Sequence, residues 1–344
     1  MKILAIESSC DETAAAVISD SKVLSNVISS QHFHGKYGGV IPELASRAHL
    51  DYISKVVHDA LEIAKLNIHD IQALAVTIEP GLIGSLIVGS NFAKGLSLRY
   101  NLPIVPINHL DGHLYSGNIQ DKTVEFPYVA LVVSGGHTIL FLVESYSSYK
   151  ILGFTVDDAA GEAFDKIGTM LGLQYPAGPE IDMLAKKGNP KAYDFPRAML
   201  HSGDYNFSFS GLKTSVRYFL NKNFPDGLSE NQLPDLCASV QEAIVDVLVK
   251  KSIDASVEYN VKHLIIAGGV SSNSLLRERA SKLAKLEGIK VVTLDPEYCI
   301  DNAAMIGFIA EKKLLENGTE KYNDLTFTAN PGSLRAKSIK NKVD

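Results

Sequence analysis

The fold is decided at the amino terminus by the stretch MKILAIESSCDETAAAVI, residues 1–18. The apolar run from Ile3 to Ile6 is followed by the polar run Glu7–Thr13, and Ala14–Ile18 then resumes a strand pattern. Two strand-like runs joined by a polar turn predict a β-hairpin. A third strand is predicted from Lys22 to Ser29.

The same pattern returns near the middle of the chain. Tyr128–Val133 is a predicted strand, Ser134–His137 is a turn of small residues, and Thr138–Glu144 is a second strand. Each half of the chain then mixes helices with further strands. This duplication predicts an α/β protein of two related lobes with a nucleotide cleft between them.

Hydrophobic periodicity separates the other helices from the other strands. Helices are predicted at 42–64, from the glycine-rich turn 79–85 to about residue 100, at 234–259, from about 271–273 and at 302–316; strands are predicted at 73–78, 104–107, 263–267 and 291–294. We predict a first lobe at 1–125, a second lobe at 126–325 and a basic tail at 326–344, and helix 302–316 could pack back on the first lobe. The basic residues of that tail are Arg335, Lys337, Lys340 and Lys342. They indicate a solvated tail, with an RNA contact as the alternative.

Composition limits the class of protein. The 344 residues carry a net charge of −6, with 46% hydrophobic and 21% charged residues, which is typical of a globular protein of two lobes. We expect no membrane span and no signal peptide, because no apolar run approaches about 20 residues and the first strand soon meets Glu7. Cys10, Cys237 and Cys299 lie far apart, so we expect neither a disulfide framework nor a thiolate zinc site, and the expected location is the cytoplasm. The net negative charge of the chain does not indicate nucleic-acid binding. Any RNA contact would therefore come from local basic patches or from a partner.

Two histidines, His109 and His113, have the i, i+4 spacing that lets two imidazoles reach one ion from a helix. The residue after His109 is Leu110, so the glutamate of an H-E-x-x-H metalloprotease motif is missing. Gly112 weakens the helix prediction. From the spacing alone, metal binding and two unrelated histidines are equal alternatives.

A carboxylate that could complete such a set is Asp301, at the start of a predicted helix. On its own, Asp301 fits a helix N-cap better than a ligand. Combined with the two histidines it would give a two-histidine, one-carboxylate set with open coordination positions, which suits Fe(II) and tolerates other divalent ions.

Two glycine turns follow predicted strands, Ser134–His137 and Gly268–Asn273. Glycine lets the backbone approach a phosphate closely, and a following helix offers free N–H groups. Neither turn matches a Walker or dinucleotide-binding motif, and each alone fits an ordinary turn. Two of them in one duplicated chain favour nucleotide binding.

Two further segments carry polar side chains at regular spacing. Asp158, Glu162 and Asp165 predict one acidic helical face, either solvated or bound to ribose hydroxyls or placed near a reacting amine. The alternation of Phe207–Ser210 predicts a strand with one buried face, with a base-stacking platform as the alternative.

Seven motifs occur in order along the chain: Glu7–Thr13, Glu79–Leu82, Asn108–His113, Val133–Thr138, Gly161–Lys166, Phe207–Thr214 and Gly268–Asn273. With them the chain resembles the bacterial tRNA adenosine threonylcarbamoyltransferase family, once called O-sialoglycoprotein endopeptidase, over about residues 1–310. The resemblance implies two duplicated lobes similar to the actin, sugar-kinase and heat-shock-chaperone ATPases. It implies transfer of threonylcarbamoyl from threonylcarbamoyl-AMP to N6 of the adenosine 3′ of the anticodon, in tRNAs that read codons beginning with A.

The resemblance also assigns site residues. His109, His113 and Asp301 would hold one divalent metal per subunit, with Fe(II) expected and zinc or magnesium as alternatives. The residues assigned to substrate binding are Val132, Val133, Ser134, Gly135, Gly136, Asp165, Gly178, Asp182 and Asn273. The implied partners are tRNA, a paralogous subunit without the metal site (TsaB) and a small ATPase (TsaE), while a separate enzyme makes the adenylate.

The chain departs from the family pattern at two positions. Val132 stands where archaeal and eukaryotic relatives carry a tyrosine ligand, which leaves the metal more open. Glu7 stands where the related ATPases place an aspartate, which weakens the case for independent ATP hydrolysis.

The expected chemistry joins an activated mixed anhydride to a weakly nucleophilic exocyclic amine. A metal could stabilise developing charge as a Lewis acid, and Glu12 or His137 are the candidates for the group that takes the amine proton. A sugar-kinase-like phosphotransferase, a metalloprotease and a purely structural subunit are the alternative functions.

Overall fold

The computed structural model describes residues 1–225, 227–229 and 231–332. It divides into two compact units, one formed by Met1–Ile119 with the chain from Asp301 onward, and one formed by Gln120–Ile300. The strands, numbered along the chain, are β1 (Lys2–Glu7), β2 (Glu12–Ser19), β3 (Lys22–Ser30), β4 (Ala73–Glu79), β5 (Ile104–Asn108), β6 (Tyr128–Val133), β7 (Thr138–Ser145), β8 (Ser148–Phe154), β9 (His263–Ala267) and β10 (Lys290–Thr293).

The helices are numbered in the same way. They are α1 (Pro42–Ile63), α2 (Ile83–Tyr100), α3 (His109–Gln120), α4 (Ala160–Met170), α5 (Gly178–Ala185), α6 (Ser210–Asn223), α7 (Leu233–Glu258), α8 (Ser274–Leu286), α9 (Pro296–Cys299) and α10 (Ala303–Asn317). Short 3₁₀ turns lie at His32–Tyr37, Ile68–Asp70, Gly269–Ser272 and Glu320–Tyr322.

Each unit contains one five-stranded sheet. The strand orders are β3-β2-β1-β4-β5 in the first unit and β10-β9-β6-β7-β8 in the second. In both sheets three consecutive strands pair antiparallel, and the next two strands add in parallel on the far side of the first of them. The two sheets therefore share one topology, and the predicted duplicated α/β fold is confirmed.

The first sheet forms because its central strands are apolar on both faces. Every residue of β1 after Lys2 is buried, which is typical of a strand covered by helices on both sides. Leu4 and Ile6 share a core cluster with Ile53 and Val57 of α1. Helix α10 also packs against β1 and β2, so the last helix of the described chain belongs to the first unit.

The second sheet is held mainly by α7. Val129, Leu131 and Val133 alternate along β6 and share a core cluster with Val240 and Leu248 of that helix. This period of two places them on one face of the sheet. The burial of these side chains fixes the register of β6, and with it the position of the turn that follows Val133.

Most predicted elements agree with the structure to within one or two residues, but the prediction for Phe207–Ser210 is wrong. Phe207 and Phe209 are buried as expected, yet the segment forms one isolated bridge to Thr155 and then enters α6 at Ser210. The hydroxyls of Ser208 and Ser210 both donate to Asp157 Oδ2 at 2.6 Å. The carboxylate of Asp157, which is distant in sequence, replaces the strand partner that the alternation predicted.

The predicted acidic helical face is also only partly formed. Helix α4 begins at Ala160, so Asp158 lies before it and pairs with Lys213 at 2.5 Å. Glu162 pairs with Lys166 at 2.5 Å. The basic residues predicted for the tail (Arg335, Lys337, Lys340 and Lys342) lie outside the described residues. Within the described part of the chain, none of the helices has the length and apolar character that crossing a membrane requires.

Candidate functional site

The first candidate site lies where the parallel strands of the first sheet end. Strands β1, β4 and β5 run in the same direction, so their carboxyl ends share one edge. This edge of an open α/β sheet is where such folds place ligands. The strands end there in Glu7, Glu79 and Asn108, and His109 begins α3 directly after β5.

Three side chains converge at this edge. Asp301 Oδ1 lies 3.1 Å from His113 Nε2 and 3.3 Å from His109 Nε2. One ligand atom from each residue lies within 4.8 Å of the others, and both histidines are buried. The sequence predicted this set of three residues, and the structure brings it together.

The two histidines reach one point because they lie one turn apart on α3. Their rings meet edge to face, with centroids 4.8 Å apart. Gly112, which weakened the helix prediction, lies within the helix and faces α10. A Cβ there would be 2.8 Å from Met305 and 2.9 Å from Ile306, so glycine lets the two helices approach closely.

Asp301 is available as a ligand because it does not cap a helix. The N-cap of α10 is Asn302, whose side-chain oxygen accepts a hydrogen bond from the backbone N–H of Met305 at 3.0 Å. The alternative interpretation of Asp301 as the cap is therefore wrong. Its carboxylate instead faces the two histidines.

A second carboxylate, that of Glu7, contacts Nδ1 of His109, whereas Asp301 lies near Nε2 of the same ring. Glu7 Oε2 lies 3.0 Å from His109 Nδ1 and accepts a 2.5 Å hydrogen bond from Thr77, while Ser9 Oγ lies 3.2 Å from the same Nδ1. A proton on Nδ1 donated to Glu7 leaves the lone pair on Nε2 for a metal, an arrangement common among metal-binding histidines. Sequence reasoning noted Glu7 only as a replacement for an aspartate and missed this role. Its position at the end of β1 was the available signal.

The charges at this edge fit a divalent cation. Burial disfavours the imidazolium of His109, but Asp301 and Glu7 raise its pKa well above the ordinary value. Burial would raise the pKa of Asp301, but the two histidines hold it well below its usual range. Three donor atoms this close need a positive charge between them, either a proton or a metal, and two imidazoles with one carboxylate suit a divalent transition metal.

Glu12, a candidate catalytic residue, lies at the start of β2 and is half-buried. Burial, followed by the neighbouring Asp11 and Asp301, raises the pKa of its carboxyl well above the ordinary value. A raised pKa makes the deprotonated carboxylate a stronger base, which is the property that a proton acceptor needs.

The second candidate site lies at the equivalent edge of the second sheet. Strands β6 and β9 are parallel and adjacent, so the turns that follow them, Ser134–Gly136 and Gly268–Ser271, leave the same edge. Gly268 has φ +90°, and a Cβ there would be 2.4 Å from the carbonyl oxygen of Val133. Only glycine allows the two turns to lie this close. Gly135 and Gly136 are exposed and have open space around them.

The residues predicted to flank these turns make local hydrogen bonds. Asp165 accepts from the backbone N–H of Ala177 at 2.8 Å and also from that of Gly178, so it binds the start of α5. Burial raises the pKa of Asp165 despite these bonds. Asp182 accepts from Ser274 Oγ at 2.7 Å.

Asn273 has two partners of its own. Its side chain caps α8 by accepting from the N–H of Leu276 at 3.0 Å and donates to Gln241 at 2.7 Å. Arg277, which sequence reasoning missed, donates to the Ser271 carbonyl at 2.6 Å and to the Leu294 carbonyl at 2.7 Å. It thereby fixes the second glycine turn to the segment before α9.

The other predicted residues lie along β6 and its turn. The side chains of Val132 and Val133 are fully buried in the sheet, so only their backbone is placed to meet a ligand. His137 closes the turn: its N–H donates to Ser134 Oγ at 3.1 Å, and its carbonyl accepts from Ser134 N at 2.8 Å.

The fold and these two edges define a protein of duplicated α/β units. One unit carries a two-histidine, one-carboxylate centre, and the other carries paired glycine turns. The chain belongs to the tRNA N6-adenosine threonylcarbamoyltransferase family, because a model of that family matches residues 22–308.

Close relatives carry the same family name. A tRNA N6-adenosine threonylcarbamoyltransferase of Kosmotoga olearia is 49% identical over 314 residues, which cover 91% of this chain and 93% of that protein. One from Thermosipho africanus is 48% identical over 332 residues, covering 96% of this chain and 99% of that protein.

Solved structures show the same fold at low sequence identity. Component A of the (R)-2-hydroxyglutaryl-CoA dehydratase of Acidaminococcus fermentans has a TM-score of 0.57 at 14% identity, covering 92% of this chain and 99% of its own. HypF of T. kodakarensis has a TM-score of 0.63 at 14% identity, covering 94% of this chain and 50% of its own. These likenesses agree with the expected actin- and sugar-kinase-like fold.

Proposed function

We propose that this protein transfers threonylcarbamoyl from threonylcarbamoyl-AMP to N6 of the adenosine 3′ of the anticodon, in tRNAs that read codons beginning with A. The observation that carries the proposal is the family match over residues 22–308, together with relatives 48–49% identical over most of the chain. The convergence of His109, His113 and Asp301 supports it, because the reaction needs a group that stabilises charge on the carbonyl or the departing phosphate.

The metal in this proposal is one divalent ion per subunit, with Fe(II) favoured. His109 Nε2, His113 Nε2 and Asp301 Oδ1 would hold it, and Glu7 would keep His109 in the required tautomer. When bound, such an ion supplies Lewis-acid chemistry to an oxygen of the donor. Fe(II) is preferred over zinc or magnesium because two imidazoles and one carboxylate with open positions are its characteristic donor set.

The adenylate part of the donor would bind to the second unit. The backbone N–H groups of Ser134–Gly136 and of the turn after Gly268 can approach phosphate oxygens, because glycine leaves no side chain in the way. Of the flanking residues assigned to the substrate, Asp165 or Asn273 would fix the ribose or the base. Gly178, at the start of α5, and Asp182, within the same helix, would belong to the same site.

The transfer itself requires one bond to form, one to break and one proton to leave. The N6 nitrogen attacks the carbamoyl carbon, the bond from that carbon to the phosphate oxygen breaks, and AMP departs. The N6 proton passes to a base, for which Glu12 and His137 are the candidates. The raised pKa of Glu12 supports Glu12 for this role.

The proposal also covers the cellular location and the partners of the enzyme. It places the protein in the cytoplasm with tRNA, a metal-free paralogous subunit and a small ATPase as partners. A net charge of −6 supports a division of labour in which partners supply part of the RNA contact.

Nucleoside mass spectrometry of tRNA from cells depleted of this protein tests the function. We expect threonylcarbamoyl-adenosine to disappear on depletion and to return with the wild-type gene. It should not return with His109→Ala/His113→Ala, whereas the matched control His58→Ala/His201→Ala, at two exposed histidines, should restore it. Retention of the modified nucleoside after depletion would refute the proposed reaction, and full rescue by the first double variant would refute the metal role alone.

A further inference from the structure

The last described segment of the chain crosses the first unit. This C-terminal strap, residues 324–332, forms neither helix nor strand, and Leu325 and Phe327 pack against the core cluster of the first unit. Lys94 of α2 donates to the Phe327 carbonyl at 2.5 Å and lies 4.3 Å from the centre of its ring. The backbone N–H of Asn330 donates to the carbonyl of Ile78 in β4 at 2.8 Å. The strap is therefore anchored beside the end of β4.

The side chain at the end of β4, that of Glu79, hydrogen-bonds both to the strap and to the residue that precedes α3. Glu79 Oε2 accepts from Asn330 Nδ2 at 2.8 Å, and Glu79 Oε1 accepts from Asn108 Nδ2 at 3.2 Å. Glu79 and Asn108 are register partners across β4 and β5. Asn108 in turn accepts from the N–H of Leu110 at 2.9 Å, which fixes the first turn of α3.

The turn that begins at Glu79 reaches His109 by a second route. A Cβ at Gly81 would be 2.4 Å from the Ser9 carbonyl, and the N–H of Leu82 donates to that carbonyl at 2.8 Å. The hydroxyl of Ser9 lies 3.2 Å from His109 Nδ1. A shift of this turn would thus move both the residue before His109 and a group that touches its ring.

We propose that Glu79 is a positioning residue through which the C-terminal strap orients His109 and raises the metal affinity of the site. The inference rests on the proposed metal site and goes beyond it, because Glu79 and the strap are not among the proposed ligands. The physical reason is that Glu79 accepts from two amides at once. With its N–H₂ group held by Glu79, the Asn108 side chain keeps its oxygen on the N–H of Leu110 and stabilises one orientation of the first helical turn.

Anaerobic titration of the full-length, metal-stripped protein with Co²⁺, followed by visible absorption, tests the proposal. Removing the bridge with Glu79→Ala should raise the Kd for Co²⁺ roughly tenfold. Asn330→Ala removes the hydrogen bond to Glu79, together with the one that Asn330 Oδ1 accepts from Gly332 N, and should raise the Kd about fivefold. Thr328→Ala, at an exposed neighbouring position of the strap, is the matched control and should leave the Kd unchanged.

A double-mutant cycle separates positioning from general stability. In the Glu79→Ala background, Asn330→Ala should have no further effect on the Kd, because the strap would act through Glu79. A purely structural role would instead lower the unfolding temperature of the metal-free variants and leave the Kd at the wild-type value. That result for Asn330→Ala, which is exposed and should fold, would overturn the inference.

The controls distinguish this inference from the proposed metal site. If His109→Ala/His113→Ala abolishes Co²⁺ binding while Glu79→Ala and Asn330→Ala bind like the wild type, the inference fails and the metal site stands. If Co²⁺ binds the wild type and the double histidine variant equally, both fail. Glu79→Gln keeps only one acceptor oxygen and places an N–H₂ group against the other amide, so it should recover only part of the affinity that Glu79→Ala loses.

Discussion

The two units share one sheet topology, but they place different chemical groups at the carboxyl edge of the sheet. At the carboxyl edge of the first sheet, the buried side chains of Glu7, His109 and His113 crowd together with the partly exposed Asp301. At the equivalent edge of the second sheet, glycine turns expose backbone, and the carboxylates nearby bind helix starts. The fold supplies the position of each site, and the residues that follow the strands supply its chemistry.

This difference also means that the two sites have different structural requirements. In the first unit, each buried charge depends on a partner, because an unpaired buried charge is expensive. In the second unit, the close contact between Gly268 and Val133 depends on the absence of a side chain. Substitutions at the site in the first unit should therefore reduce function before stability. Substitutions at the glycine turn in the second unit should reduce stability before function.

The largest expected effect is that of removing the two histidines proposed as metal ligands. His109→Ala/His113→Ala should reduce the rate of tRNA modification by about a thousandfold or more, since Lewis-acid stabilisation contributes several kcal/mol. A single-turnover assay with purified partners, tRNA and threonylcarbamoyl-AMP measures this. An equal loss in His58→Ala/His201→Ala would show that the effect is not specific to the site.

In the second unit, the matching test is steric. Gly268→Ala should lower the free energy of unfolding by about 3 kcal/mol or more, because the left-handed φ is strained and the new methyl would meet the Val133 backbone. Gly269→Ala is the matched control, since its Cβ would have open space. Urea denaturation of both variants measures the difference, and similar stabilities would refute the steric role.

A smaller effect is expected from Glu7, the carboxylate that contacts His109 at the proposed metal site. Glu7→Gln removes the charge that holds His109 Nδ1 and should raise the Kd for Co²⁺ by roughly 10- to 100-fold. Isothermal titration of the metal-stripped protein measures it. Glu43→Gln, at an exposed residue in the first turn of α1, is the control, and a wild-type Kd for Glu7→Gln would remove Glu7 from the site.

The smallest expected effect is that of removing Asn302, which caps α10 in place of Asp301. Asn302→Ala should cost about 1–2 kcal/mol of unfolding free energy, because the buried N–H of Met305 loses its acceptor. Scanning calorimetry should show a lower unfolding temperature than for Asn317→Ala at the exposed end of the same helix. If Asp301 moved to replace the cap, metal affinity would fall as well.

Much of the fold was predictable because apolar periodicity is a local signal. The strands β6 and β9 were predicted residue for residue, since each is a short apolar run bounded by polar or small residues. The segment Phe207–Ser210 was not predictable, because its alternation fits a strand and the carboxylate of Asp157 decides otherwise. Asp157 lies about fifty residues earlier in the chain, and sequence spacing does not show that the two segments meet.

The sequence by itself determined the duplicated α/β pattern, the paired histidines and, through its motifs, the family. The spacing of His109 and His113 is local to one helix, so the residues alone bring them together. Only the tertiary structure decided that Asp301 joins them, because the contact spans nearly two hundred residues and required Asn302 to take the cap. The same holds for Glu7 and Glu79, whose roles depend on adjacent parallel strands ending at one edge, a property of the folded sheet.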